Sequence, residues 1–277
     1  MTSSKRPIID KSRLDRLYET YTNRDWVHPD PIEFLYRYTD RKDIEIAGLI
    51  ASSLAYGRVA QILKSVSSVL EKMGPSPFCY LQRATPANLE KSFHGFKHRF
   101  TTHEDLVEIL IGMRDVIERY GSLYDCFLSG FSADDESILP GLSFLVRELS
   151  AFFHGHCNSL LPSPERRSAC KRLNLFLRWM VRKDLVDPGG WQRIPRTKLL
   201  VPLDTHMHRI CVLLGLTKRK QADLNTAIEI TCAFQRIAPE DPVRYDFALT
   251  RLGIRSDLDF RTALGAIMPP GRCSTNL

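Results

Sequence analysis

The sequence lacks the features that would place it across a membrane, around a metal cluster or in a sheet. No stretch approaches the roughly twenty consecutive apolar residues that a spanning helix needs. The start, MTSSKRPIIDKSRLDRLYE, has no apolar core followed by a small-residue cleavage site, so no export signal is read there and a cytoplasmic protein is expected. The seven cysteines, Cys79, Cys126, Cys157, Cys170, Cys211, Cys232 and Cys273, are dispersed without a Cys-x-x-Cys. An odd, scattered set reads as reduced and mostly buried thiol, and it argues against a metal cluster, whose ligands need tight spacing. His94, His98 and His103 are loosely arranged, and His206 and His208, two apart on a helix, point to different faces. No metal and no cofactor is expected. There is no strand-like alternation, no short-period repeat and no low-complexity segment, which leaves an all-α chain.

What is present is ordinary globular composition, 43% hydrophobic and 26% charged over 277 residues, enough for one large domain or two lobes with real cores. The formal charge of +7 favours a polyanionic partner, nucleic acid before membrane.

Apolar residues at three-and-four spacing mark the helices. Leu14, Leu17 and Tyr18 suggest a short one, and Pro31 suits the first position of another that carries Ile32, Phe34, Leu35 and Tyr38. From Asp43 to Met73 two helices are expected, turning at Gly57. Pro75 and Pro77 break the chain before a weaker helical stretch that leads to SFHGFKHRF. There Lys97, His98 and Arg99 interleave with Phe93, Phe96 and Phe100, which can bind phosphate and stack on bases, or can be a helix end whose phenylalanines are core. Glu104 to Tyr120, capped by Thr101 or Thr102 and stopped by Gly121, is a clear amphipathic helix, and a further one is expected at about Leu139 to Phe153. Ala222 to Phe234 and Val243 to Leu252 complete the set, with mobile ends expected before about residue 9 and after Pro270.

Two helix starts carry the chemistry. In ACKRLNLFLRWMVRKD, residues Leu173, Phe176, Leu177, Met180 and Val181 form a buried face, with Arg172, Arg178 and Arg182 off it, so Lys171 sits in or just before the first turn. The helix dipole there favours negative charge, and an amine used as a neutral nucleophile gains from that position. In VPLDTHMHRICVLLGL, Asp204 and Thr205 are good capping types, Met207, Ile210, Cys211, Leu213 and Leu214 give the apolar face, and Gly215 closes the helix. Taken singly, a lysine at a helix start is a solvated group and an aspartate there is a cap.

The run VPLDTHMHRI resembles the Val-Pro-x-Asp-x-His segment of the helix-hairpin-helix DNA glycosylase superfamily, whose bifunctional members carry a lysine at the head of an earlier helix. The pair here is 33 positions apart, close to the layout of the archaeal 8-oxoguanine glycosylase branch. The whole chain, through GLIASSLAYGR, ACKRLNLFLRWMVRKD, DPGGW and YDFALTRLG, also looks like a bacterial family of uncharacterised proteins placed in that superfamily. The resemblance implies one domain over residues 1–277, a two-lobed helical bundle with lobes of about 41–165 and 1–40 plus 166–277. It implies a DNA glycosylase with AP lyase activity in base excision repair, acting as a monomer on double-stranded DNA that holds a damaged base, with 8-oxoguanine favoured. Lys171 and Asp204 would be catalytic. The alternative is a non-enzymatic DNA-binding protein that keeps a glycosylase-like fold.

Further site residues follow from the resemblance, each beside a plainer reading. Tyr56 and Arg58 fall in the turn that faces DNA in the superfamily, or are a core tyrosine and a surface arginine. The hairpin ahead of the lysine helix binds phosphate in the superfamily, but LLPSPERRSACK lacks its Gly-x-Gly, so Arg166, Arg167 and Arg172 are expected to make phosphate contacts or to form a solvated face. Trp191 stacks on a base or packs under its loop. Asp246, in YDFALTRLG, binds the extruded base or is an ordinary first-turn carboxylate.

Overall fold

The structure, a computed structural model, describes residues 9–151, 153 and 159–254. The expected mobile ends before residue 9 and after Pro270, and Cys157 and Cys273, lie outside the described residues. The chain is all-α: among the described residues no strand forms, and two isolated bridges, His98 with Thr101 and Ser168 with Asp223, are the only ladder pairings. No helix among them is long and apolar enough to cross a membrane.

Helix α1 (Lys11–Tyr21) is followed by α2 (Arg41–Ser53), α3 (Val59–Met73), α4 (Pro77–Arg83), α5 (Pro86–Phe93), α6 (His103–Tyr120), α7 (Leu123–Ser129) and α8 (Leu139–Leu149). After the hairpin come α9 (Lys171–Val181), α10 (Thr205–Leu213), α11 (Leu224–Gln235) and α12 (Asp246–Ile254). Local chemistry sets most boundaries: Asp10, Asp40, Ser76, Thr85, Ser122, Asp204 and Asp223 each cap a helix N-terminus. Thr102 forms a capping box with Asp105, and Gly121, left-handed at φ 84°, ends α6. The segment expected to be helical from Pro31 is instead a 3-10 helix, Pro31–Arg37, and α8 stops at Leu149 rather than Phe153. Apolar spacing does not announce helix α7. Its signal is Ser122 followed three residues later by Asp125, directly after the stop at Gly121.

Helix α2 is the seam of the molecule. Ile46, Ala47, Leu49, Ile50 and Ala51 are buried on successive faces, so α2 is surrounded rather than laid on a surface. It packs on the 3-10 helix 31–37, on α3, α4 and α7, and on α9, the helix that begins with Lys171. A side chain at Gly48 would press within 3.3 Å of Met180 on α9, so its absence lets the two helices approach closely.

Trp191 belongs to this core and not to a base site. The loop after α9 doubles back, with Gly189 N donating to Trp179 O at 3.0 Å and Trp191 N to Met180 O at 2.9 Å. The indole is fully buried among Tyr124, Phe127 and Phe176, and its Nε1 donates to Glu45 Oε1 at 3.0 Å. Apolar area outweighs the single polar atom, which finds its partner inside.

Burial pushes the Glu45 carboxyl up to about 7. The folded state therefore holds a proton that the unfolded chain releases near the ordinary glutamate value, and the Glu45 contribution to stability is expected to be lost as pH rises from about 4.5 to about 7. Glu45→Gln keeps an acceptor for Trp191 and cannot ionise, so the wild type's denaturation midpoint should fall relative to the variant's as pH rises across that window. Equal slopes for the two proteins would refute the assignment.

Candidate functional site

A cleft of about 580 Å³ opens where the α2–α3 turn, the starts of α9 and α10, the segment around Pro29 and helix α12 converge. Lys171 and Asp204 both line it, with Lys171 Nζ 3.7 Å from Asp204 Oδ2 and side chains 28% and 37% exposed. Residues 33 positions apart thus meet because two helix N-termini point into one hollow.

Each side chain is placed by its helix. Lys171 is the first residue of α9, which begins without a side-chain cap and without an acid in its first turn, so the amine stands at an uncompensated positive helix end. Asp204 caps α10: its Oδ1 accepts from Met207 N at 2.8 Å, which fixes the carboxylate plane and leaves Oδ2 toward the amine. The aspartate is a cap and a cleft residue at once.

The hairpin before α9 meets its missing glycines in a different way. Arg167 and Cys170 adopt the left-handed region, at φ 58° and 45°, a conformation that costs a non-glycine residue on the order of 1 kcal/mol or more. Neighbouring bonds hold it: Leu224 N donates to Arg167 O at 3.1 Å, Cys170 N to Ser168 Oγ at 3.2 Å, and Asn174 Nδ2 to Ala169 O at 2.9 Å. Arg166 and Arg167 remain exposed on this hairpin, outside the cleft lining.

Arg172 is not a free phosphate ligand. Its guanidinium turns inward, donating from Nη1 to Ser53 O at 2.7 Å at the last turn of α2, and from Nη2 to Ser159 O. A cation at a helix C-terminus is favourable there, and burial pulls its pKa below the ordinary arginine value. Arg172 therefore lines the cleft as a tie between α9, α2 and the hairpin.

Tyr56 lines the cleft and is half-buried, its ring beneath the Arg172 guanidinium at 5.1 Å. Its hydroxyl donates to His98 O at 2.8 Å and lies 2.6 Å from Thr101 Oγ1, so the tyrosine anchors the 94–102 loop to the cleft rim. His98 is buried and kept neutral, its pKa lowered by burial. Because Tyr56 O can only accept, His98 Nε2 donates to it at 3.1 Å, and Nδ1 accepts from Ser65 Oγ at 2.9 Å. Arg58 is exposed at the start of α3.

The floor of the cleft is a buried ionic network that apolar spacing does not announce. Arg178 and Arg182, expected off the packed face, are both buried. Asp187 receives Arg178 Nε at 3.2 Å and pairs with Arg182, while Arg182 Nε reaches Asp241 at 3.0 Å. Arg178 Nη1 pairs with Asp246, which lines the cleft. Burial raises the Asp246 carboxyl above its ordinary range, against the pull of Arg178, and its Oδ1 is buried without a hydrogen-bond partner. Beside it Arg251, on the same helix and also lining the cleft, pairs with Asp30.

No curated protein and no solved structure matches this chain. One family, described as a protein of unknown function (DUF2400), matches residues 30–255, a span that takes in Lys171, Asp204, Asp246 and both helices of the α2–α9 seam. With well over half of the sequence matched, the chain belongs to the DUF2400 family.

Proposed function

We propose that this protein is a DNA glycosylase with an associated lyase step, and that Lys171 and Asp204 are its catalytic pair. The observation that carries the reading is the approach of Lys171 Nζ to Asp204 Oδ2, 3.7 Å, inside a cleft built from both halves of the chain. The partner is double-stranded DNA, with the damaged nucleotide turned out of the stack so that its anomeric carbon reaches the cleft.

Asp204 takes a proton from the lysine ammonium, freeing the lone pair. Lys171 attacks the anomeric carbon as the bond to the base breaks, and the base leaves with that electron pair and takes up a proton. The proton that Asp204 took passes to the leaving base, and the restored Asp204 carboxylate faces the positive charge that develops on the sugar. Opening of the sugar ring gives an imine on Lys171. Loss of the proton on the neighbouring carbon then expels the 3′ phosphate, and water releases the lysine. A base edge with a hydrogen-bond donor would complete the unpartnered Oδ1 of Asp246 at the floor. Oxidised guanine is the first substrate to test, because of the resemblance to the archaeal branch.

Borohydride reduction during incubation with duplexes holding 8-oxoguanine, uracil or an abasic site tests the scheme. A covalent protein–DNA product on at least one of them is expected. Base release without that product would remove Lys171 as the nucleophile. Neither release nor product on any lesion would leave a DNA-binding protein that does not use this pocket.

A further inference from the structure

A second cavity, outside the cleft, is lined by basic and neutral residues alone. It measures about 270 Å³ and runs along α3 beneath the 94–97 loop, with Lys64, Lys72, His94 and Lys97 around it and no acidic residue in its lining. Gln61, Lys64, Ser68 and Lys72 recur at three-and-four spacing, so they form one stripe of α3. Lys64 and Lys97 are exposed and have no ion-pair partner among the described residues, whereas Lys72 Nζ is held by Ser92 O at 2.7 Å. Cations left this way on a folded surface repel one another unless an anion joins them.

The same loop carries the most exposed large apolar side chain among the described residues. Phe100 is 80% exposed, at the tip of the tight turn closed by His98 and Thr101, and Arg99 beside it takes φ 54°. The Arg99 guanidinium lies 5.5 Å from the Phe100 ring and 6.0 Å from that of Tyr56. Arg99 also fills the space over Gly57: a Cβ there, at φ 97°, would fall 2.6 Å from Arg99 Cδ. Tyr56 and Gly57 both line the cleft. The basic groove, the aromatic tip and the cleft mouth are therefore successive parts of one rim.

We infer that α3 and the 94–102 loop form a second nucleic-acid contact, in which Lys64 and Lys97 hold the phosphodiester backbone flanking the cleft and Phe100 stacks on an adjoining base or sugar. Cations interleaved with an exposed aromatic ring fit a chain of phosphates and flat bases better than a polyanion that carries charge alone. That the polymer is duplex DNA rests on the proposed glycosylase function of the cleft.

The test uses the full-length protein and a fluorescent duplex of about 25 base pairs, with anisotropy followed over a range of salt concentrations. Lys64→Gln/Lys97→Gln should make the plot of log affinity against log salt shallower by about 1.8, as expected when two phosphates are no longer neutralised by the protein. Arg114→Gln/Arg147→Gln removes the same charge from α6 and α8, which line neither cavity, and should leave the slope in place. Phe100→Ala should weaken duplex binding roughly fivefold or more without changing the slope, and leave heparin binding as it was.

Wild-type binding with a slope indifferent to Lys64 and Lys97 would overturn the groove and leave the catalytic pair standing. A slope that depends on them, in a protein that neither releases a base from any lesion nor traps one, would keep the groove and remove the glycosylase reading. Equal losses of heparin and DNA binding in Phe100→Ala would overturn the stacking role. Failure of the wild type to bind duplex at all would overturn both.

Discussion

Lys171→Gln is expected to abolish the borohydride-trapped product and to slow base release by about a thousandfold or more, the loss typical of deleting a covalent nucleophile. The substitution keeps the unbranched stem and a polar end at a position already 28% exposed, so the melting temperature should stay within a few degrees of wild type. Asp204→Asn separates two functions of one residue. Asparagine caps as well as aspartate does, so Met207 N keeps its acceptor and α10 its start. The carboxylate charge is lost, and with it about two to three orders of magnitude in rate. Asp204→Ala should add a stability cost of about 1 kcal/mol from the missing cap. Rates measured by single turnover, beside denaturation curves, resolve the three variants. Full trapping by Lys171→Gln would end the proposal.

Asp187→Ala should be the most destabilising single substitution in the buried network. Asp187 is fully buried and is the shared counterion of Arg178 and Arg182. Removing it leaves two desolvated guanidinium groups near each other with one carboxylate fewer, and deletion of one member of a buried pair costs about 3–5 kcal/mol. For a chain of this size that lowers the melting temperature by roughly 10 °C. Asp187→Asn keeps the volume and an acceptor, and should lose less. Arg178 also holds Asp246, so the alanine variant should disturb the cleft floor as well as the stability. A loss below about 1 kcal/mol, measured by urea denaturation, would show that the remaining carboxylates carry the arginines without Asp187.

The helices are legible where local chemistry defines them. Three-and-four spacing places α2, α3, α6, α9 and α10 within a residue or two, and capping residues mark the starts of α6 and α10, because a helix start is decided by a few neighbouring side chains. The short α7 escapes that reading, its seven residues too few for a periodic pattern to stand out. Trp191 shows the limit of reading a loop. A tryptophan between glycines and a polar run offers the same signal whether it faces a ligand or folds inward, and Glu45, which receives its Nε1, lies 146 positions away.

The arginines are hard to place for a related reason. Arg178 and Arg182 look like the wet side of an amphipathic helix, since two of their counterions, Asp246 and Asp241, come from the far end of the described chain and the shared one, Asp187, from the loop that folds back on the helix. Arg172 looks like a phosphate ligand, yet its partners are main-chain oxygens of α2 and the hairpin.

The sequence by itself determined the helical character, the basic balance and the two helix starts with a lysine at one and an aspartate at the other. Those are properties of short segments and of composition, set by backbone hydrogen bonding and side-chain periodicity within a few residues. Only the tertiary structure decided that the two starts open into one cleft, which arginines are buried, and that the α3 stripe continues through the 94–102 loop to the cleft rim. These depend on which surfaces exclude water together, a matter of packing between segments far apart along the chain.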